Sequence, residues 1–384
     1  MSRQVLERGA PKWNAHLSYA LSFVYSMLFG LLVPVLPMIA FQMGASQLEL
    51  GVIGGASPLT YVPLALLSGR LSDRIGRKRL IVVSSVTFSL ACLLYAVSST
   101  PLHLMGVRLI EGVSFSLLWP ALEALLVDSA NVSGDKLVSN FGVLWSSGSV
   151  MGGVLASLVL ATKQYSSIFI PSAALGLMTC VASLTMISEQ RVGRSSHDGI
   201  KSGEKASPRK MMATWALAGL YSFCQGTVFA LYPPYAELRG LAGGLTGLAI
   251  SSILAGRTLT FYLYRFIRAT PKTLALAGSL SAAIFLLLFS ISTQPLLVLS
   301  AGFAFGVGLG LCYCVSIKGA LEASSSSRGM YAGLFEGSIG LGYLIGPAIG
   351  GVAAEFVLEG PYVISSMVAL SVSVLLVRGF NEKR

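Results

Sequence analysis

Long apolar stretches recur along the whole of this chain, and they leave few folds open to it. Residues 17–41, 80–97 and 274–291 each hold enough consecutive apolar side chains to cross a hydrocarbon layer as a helix, for which about 20 residues suffice. Twelve such segments can be marked, at 17–42, 49–69, 80–98, 101–128, 137–161, 167–187, 212–236, 243–264, 273–293, 295–322, 331–355 and 361–378. Barrel strands would be runs of about ten residues with alternating polarity, and these runs are long and continuous. The expected fold class is therefore all-α, a polytopic membrane protein with twelve transmembrane helices. Charged residues occupy only 11% of the 384 positions, against about 25% in an ordinary soluble protein, so a water-soluble surface cannot be built. The first apolar run is longer than the roughly 7 to 15 residues of a signal core, and no small-residue cleavage site follows, so it is expected to stay as an anchor.

The formal net charge of +11 is distributed in a telling way. Threading twelve spans with the amino terminus inside puts 22 of the 27 Lys and Arg residues in cytoplasmic segments. Only Lys163 and Arg239 fall in outer loops, and Arg108, Arg257 and Lys318 lie within spans. Basic loops are retained on the cytoplasmic side. The expected topology is a multi-pass plasma-membrane protein with both termini cytoplasmic. A nucleic-acid footprint would gather its bases in one folded patch, and here they are split among loops, so nucleic acid is not an expected partner. Cys92, Cys180, Cys224, Cys312 and Cys314 all sit in apolar spans and read as small buried hydrophobes. With three histidines in the chain, neither a metal site nor a redox cofactor is expected.

The chain contains itself twice. Residues 148–154 match residues 346–352 at an offset of 198, and the same offset superposes Arg70 on Arg268, Arg74 on Lys272, Gly112 on Gly310, and the exit of the first span, 34–37, on 232–235. Between the copies, 189–210 is rich in Ser, Gly and charge, as in a flexible linker. The expected organisation is a six-helix bundle over 1–188, a cytoplasmic linker over 189–210 and a second six-helix bundle over 211–384. Duplicated halves of this kind place a binding site near the midplane where they meet, and rocking exposes it to each side in turn.

The segment Gly69-Arg-Leu-Ser-Asp73-Arg-Ile-Gly76-Arg-Lys-Arg79 joins the second and third spans. It resembles the loop signature of the major facilitator superfamily, and the twelve spans, two halves and central linker extend that resemblance over the whole chain. The resemblance implies a conformational latch made of Gly69, Arg70, Asp73, Arg74, Gly76 and Arg77. Gly69 would permit close helix approach, Asp73 would face the positive end of the eleventh helix, and the arginines would hold the loop at the phosphate layer. In the second half Pro271 stands where Asp73 would align, so any latch there differs. Arg108-Leu-Ile-Glu-Gly112 in the fourth span is similar to the Arg-x-x-x-Gly element of the family. The glycine run of the fifth span resembles the family's antiporter signature, with Ser149 in place of its proline, which weakens an antiport assignment.

Charges inside spans are costly and normally face a cavity or a partner. Arg108, Glu111, Phe115 and Trp119 share one helical face and are expected to wall a cavity, although Arg108 is near enough to the outer end to snorkel. Arg257 aligns with Leu59 and so breaks the repeat. It is either a contact for an anionic substrate group or half of a structural ion pair, for instance with Glu336. Arg108, Glu111, Glu123 and Glu336 are the candidates for proton coupling, Glu123 lying close to a cytoplasmic end. No acid occurs between Leu17 and Met43, so the first-helix carboxylate of some proton-coupled exporters in the family is missing. The family resemblance puts spans 1, 4, 7 and 10 around the central cavity, and Tyr25, Trp119, Tyr221, Gln225, Tyr232 and Tyr313, with Arg257, are the expected substrate-binding residues. The runs Gly302, Gly306, Gly310 and Gly342, Gly346, Gly350 read as surfaces for tight helix contact.

No Gly-x-x-x-x-Gly-Lys-Ser/Thr element is present for ATP, and no nucleophile motif suggests an enzyme. The leading expectation is a secondary transporter, a monomer in the bilayer, exporting a small organic compound against protons as a multidrug or metabolite pump. Uptake or facilitated movement of a sugar or organic anion is the alternative, and a non-transporting membrane receptor the alternative of another class.

Overall fold

The computed structural model describes residues 12–129, 134–187, 208–322 and 328–379, and within them the chain is helical with no strand. Twelve helices follow one another: α1 Lys12–Gln42, α2 Gln47–Ile75, α3 Arg77–Val97, α4 Pro101–Ser129, α5 Gly134–Thr162, α6 Phe169–Met186, α7 Pro208–Leu238, α8 Gly243–Leu263, α9 Pro271–Ile291, α10 Pro295–Glu322, α11 Arg328–Phe356 and α12 Gly360–Gly379. Local chemistry sets several boundaries. Ser46 and Glu49 form a reciprocal capping box at the start of α2, and Thr270 caps α9 with Pro271 at its first position. Among the described residues, nine helices are long and apolar enough to cross a membrane. The other three are α7, α8 and α12, of which α12 has only a shorter apolar stretch, Gly360–Leu376.

Two expectations about boundaries need correction. The signature segment is not a loop: α2 continues to Ile75 and α3 begins at Arg77, leaving Gly76 alone to turn the chain. Gly76 does so at φ 99°, a conformation that side chains resist. The linker, expected over 189–210, lies outside the described residues up to 207, and its last three positions already belong to α7, which starts at Pro208, a residue suited to a helix's first turn.

Two apolar cores organise the bundle. One draws on α1 to α6 with Ala230 and Leu231 of α7, the other on α7 to α12 with Val33 of α1. Glycines let the helices inside each half approach backbone to backbone. A Cβ on Gly148 or Gly152 of α5 would overlap the carbonyls of Phe23 or Met27 on α1, and the pseudo-equivalent Gly346 of α11 would overlap Phe223 of α7. The pairing of α2 with α4 at Gly112 recurs between α8 and α10 at Gly306 and Gly310. The glycine runs are therefore packing surfaces, and the repeat seen in sequence is a repeat of helix contacts.

Across the halves, α2 packs on α11 and α5 on α8. The face on which α1 begins and α6 ends is called the linker face here, and its opposite the far face. The far face is sealed. Gly51 of α2 meets Pro347 and Gly351 of α11, and Gly243 and Gly247 of α8 meet Leu160 and Ser157 of α5. Two polar clasps reinforce the seal: the Lys163 ammonium donates to Glu237 at 2.9 Å, and the backbone N–H of Leu48, in the first turn of α2, donates to Glu355 of α11 at 2.8 Å. The hydrogen bond and the charge of Glu237 hold the Lys163 ammonium above its ordinary pKa.

Candidate functional site

Antiparallel packing of α5 on α8 runs from Leu160 against Gly243, through Gly153 against Ser251, to Ser146 against Thr258. That last pair brings Arg257 to the boundary between the halves. Arg257 is 1% exposed. Nε and Nη2 donate to Ser146 Oγ at 3.1 and 3.0 Å, and Nη1 donates to Tyr221 OH at 3.1 Å and lies 3.5 Å from Gln225 Oε1. The Trp145 ring stacks 4.5 Å from the guanidinium carbon, with Phe261 at 5.8 Å, a cation–π arrangement that offsets part of the desolvation. Glu336 is not its partner, so the structural ion pair considered from sequence is absent, and no carboxylate contacts Arg257 among the described residues.

An aromatic wall extends from this centre. Trp119 of α4 meets Trp145 of α5 edge-on at 6.4 Å, and Trp145 stacks on Phe261 of α8 at 6.3 Å. Phe261 lies 5.2 Å from Tyr313 of α10, and Tyr313 lies 5.1 Å from Tyr221 of α7 and 5.9 Å from Phe335 of α11. On the linker side of this wall are two acids, Glu123 from α4 and Glu336 from α11. Both are solvent-exposed, each within electrostatic reach of the other and of Tyr61 and Tyr313. Neither makes an ion pair among the described residues. With the far face sealed, these exposed acids mark the opening of the site toward the linker face.

The structure thus gathers Arg257, Trp119, Tyr221, Gln225 and Tyr313 into one place, and it removes two expected members. Tyr25 is fully buried within the first half, its hydroxyl bonded to Ser85 at 2.7 Å and Thr179 at 3.0 Å, because its face of α1 packs on α3 and α6. Tyr232 packs 4.1 Å from Phe289 and 6.3 Å from Tyr362 in the second core, three turns farther along α7 than Tyr221, toward the sealed far face. Glu111 does not face a cavity either. It is buried between Arg108, whose Nη1 is 2.6 Å away, and the Tyr95 hydroxyl at 2.5 Å. Arg108 neither snorkels nor lines a passage: its Nε reaches the Ile53 carbonyl on α2 at 3.4 Å.

The latch residues are also repositioned. Gly69 has open space where a Cβ would stand, so it mediates no close helix approach in this conformation. Arg77 pairs with Asp128 of α4 at 2.7 Å, and Lys78 donates to the Ile187 carbonyl at the end of α6 at 3.0 Å. These basic groups tie helices together within the first half instead of resting only at a phosphate layer. Arg70 and Arg74 are exposed on the last turns of α2, and the side chain of Asp73 lies outside the described part of the structure.

Sequence reading missed Trp145, Ser146, Tyr61, Thr258 and Phe261. Trp145 and Ser146 carried a usable signal, being an aromatic and a hydroxyl adjacent in an otherwise glycine-rich span at a depth that antiparallel α8 would bring to Arg257. Their meeting depended on which helices pair across the halves.

Two helical bundles in a membrane, meeting around a buried cation and an aromatic wall with one side sealed, define a secondary transporter. A family model described as Major Facilitator Superfamily matches residues 19–322, and the chain belongs to that family. Among curated relatives, Quinolone resistance protein NorA of Staphylococcus aureus strain MRSA252 is 24% identical over 378 residues, covering 92% of this chain and 93% of that protein. Multidrug resistance protein MdtL of Klebsiella pneumoniae strain 342 is 24% identical over 356 residues, covering 86% of this chain and 90% of that one. Among solved structures, the nucleoside transporter NupG superposes with a TM-score of 0.76 at 14% identity, covering 96% of this chain and all of that one, a match of fold.

Proposed function

We propose that this transporter exports a small organic solute in exchange for protons, with Glu123 and Glu336 as the coupling pair. The observation that carries the proposal is that one exposed acid comes from each half, the two sense one another, and no basic partner neutralises either among the described residues. Two carboxylates repel when both are ionised. Repulsion between the ionised pair therefore holds the halves apart on the linker face. For exchange, protons taken up while the far face is open are carried to the linker face and released there, and solute binding then takes their place in letting that face close. The relatives' printed roles in quinolone and multidrug resistance support export as the direction.

In this reading the units 1–188 and 211–384 rock as bodies, with 189–210 as tether, the linker face is cytoplasmic, and the protein works as a monomer in the plasma membrane. The signature segment from Gly69 to Arg77 serves as the latch on that face. The space beside Gly69, open in this conformation, would be filled when α2 and α11 meet there.

The test is flux in liposomes containing purified protein and a trapped pH dye. Adding a transported solute should move protons through the wild type, and Glu336→Gln or Glu123→Gln should retain solute binding but lose proton movement. Solute flux indifferent to both pH and membrane potential would remove the coupling proposal. A second reading, movement of an organic anion, is favoured by the unneutralised Arg257.

A further inference from the structure

Arg257 is always charged, and a guanidinium withdrawn from water without a counter-ion is costly. Its hydrogen-bond partners among the described residues are all neutral. Ser146 Oγ accepts from Arg257 Nε and Nη2 at 3.1 and 3.0 Å and lies 2.7 Å from the Thr258 hydroxyl, which itself donates to the Leu254 carbonyl. Both Ser146 lone pairs are thus taken, and the second Nη2 hydrogen has no acceptor among the described residues. Beside it, the Gln225 side chain is 1% exposed and its Nε2 has no hydrogen-bond partner at all, while its Oε1 faces Arg257 Nη1. Donors from α7 and α8 therefore converge with too few acceptors between them. A buried polar group left in this way in a native structure calls for an explanation, such as a missing ligand.

The geometry points to a carboxylate-binding subsite at Arg257 and Gln225, serving a substrate that is a monoanion with a planar aromatic body. This rests on the transport reading above and names the class of solute. A carboxylate supplies the acceptors that Arg257 Nη2 and Gln225 Nε2 lack, as a charge-assisted partner of the guanidinium. The body of the substrate would lie against Trp119, Phe261 and Tyr313. Multiple negative charge is disfavoured, since Arg257 is the one cation at the subsite among the described residues and Glu123 and Glu336 stand on the route from the linker face. In the conformation seen, Trp145 covers the guanidinium at 4.5 Å. A carboxylate bound at the edge of the guanidinium would place its charge beside that ring, so binding should be visible in tryptophan fluorescence.

The experiment uses the full-length purified protein, with 2-naphthoate, its neutral isostere 2-naphthamide, and 2-naphthyl phosphate as probes. Binding is read by tryptophan fluorescence and by thermal shift. The wild type should bind the carboxylate about 10- to 100-fold more tightly than the amide, as expected for hydrogen bonds made to a charged group, and more tightly than the phosphate. Arg257→Gln should bring acid and amide to equal affinity, and Trp145→Phe should remove most of the fluorescence change while keeping the preference. Equal binding of acid and amide by the wild type overturns the proposal and needs no variant, so a folding defect in Arg257→Gln cannot shelter it. Preferred binding of the phosphate also overturns it. Loss of proton movement is a separate readout: a protein that prefers the acid but moves no protons refutes the coupling and leaves the subsite standing.

Discussion

The seal on the far face can be broken by a single methyl group, and the structure says where. Gly51 of α2 lies against α11 so closely that a Cβ would overlap the Pro347 carbonyl oxygen and come within 2.9 Å of Gly351 Cα and 3.1 Å of the Pro347 carbonyl carbon. All three are backbone atoms, which cannot rotate away. Gly51→Ala therefore forces α2 and α11 apart in the far-closed conformation and leaves them unaffected when the face is open. Overpacking of this kind costs about 1–3 kcal/mol, which shifts the balance of closed to open states by about 5- to 150-fold. Gly106→Ala on α4 is the matched control, because nothing lies within 4 Å of its Cβ position; both substitutions raise helix propensity alike. Spin labels at the exposed far-face positions Ser99 and Thr293 would report the distance between halves by pulsed electron resonance. Gly51→Ala should populate a longer distance and Gly106→Ala should not. Identical distributions in the two variants would refute the reasoning that this glycine closes the far face.

Three further outcomes follow from particular contacts. Arg108→Leu should destabilise the protein by about 3–5 kcal/mol by stranding Glu111, which is 0% exposed, and the double variant with Glu111→Leu should recover much of that loss in thermal unfolding. Tyr25→Phe removes the hydroxyl bonded to Ser85 and Thr179 and should cost about 0.5–1.5 kcal/mol of stability with transport kinetics unchanged; a specific loss of substrate affinity would return Tyr25 to the site. Exchanging the charges of the clasp, Lys163→Glu with Glu237→Lys, should restore the far-face distance that either single change lengthens, since the pair joins the two halves at 2.9 Å; failure of the double variant to restore it would mean that the clasp contributes nothing to closure.

Residue order alone determined much of this molecule. Hydrocarbon thickness demands about 20 apolar residues per crossing, so the number of helices and most of their limits could be read directly, and the offset of 198 residues disclosed two copies of one unit. The glycine spacing told which surfaces were for packing, because only glycine lets two backbones meet as α1 meets α5. Arg257 stood out because it broke the repeat and because a charge in a span is expensive. Sequence had no means of showing what any helix faces. Tyr25 and Tyr232 have the composition of a binding site and the location of a core, since helical rotation sends Tyr25 toward α3 and α6 and its depth along α7 sets Tyr232 against α9 and α12. Conversely, Trp145 and Ser146 become neighbours of Arg257 only through the pairing of α5 with α8, a contact between residues more than a hundred positions apart. Glu111 and Glu336 are both acids within spans; the fold neutralises one with Arg108 and Tyr95 and leaves the other open to solvent. Apolar length and periodicity are properties of a single helix and survive in the sequence. The character of a site depends on the relative rotation and register of several helices, which only their packing decides.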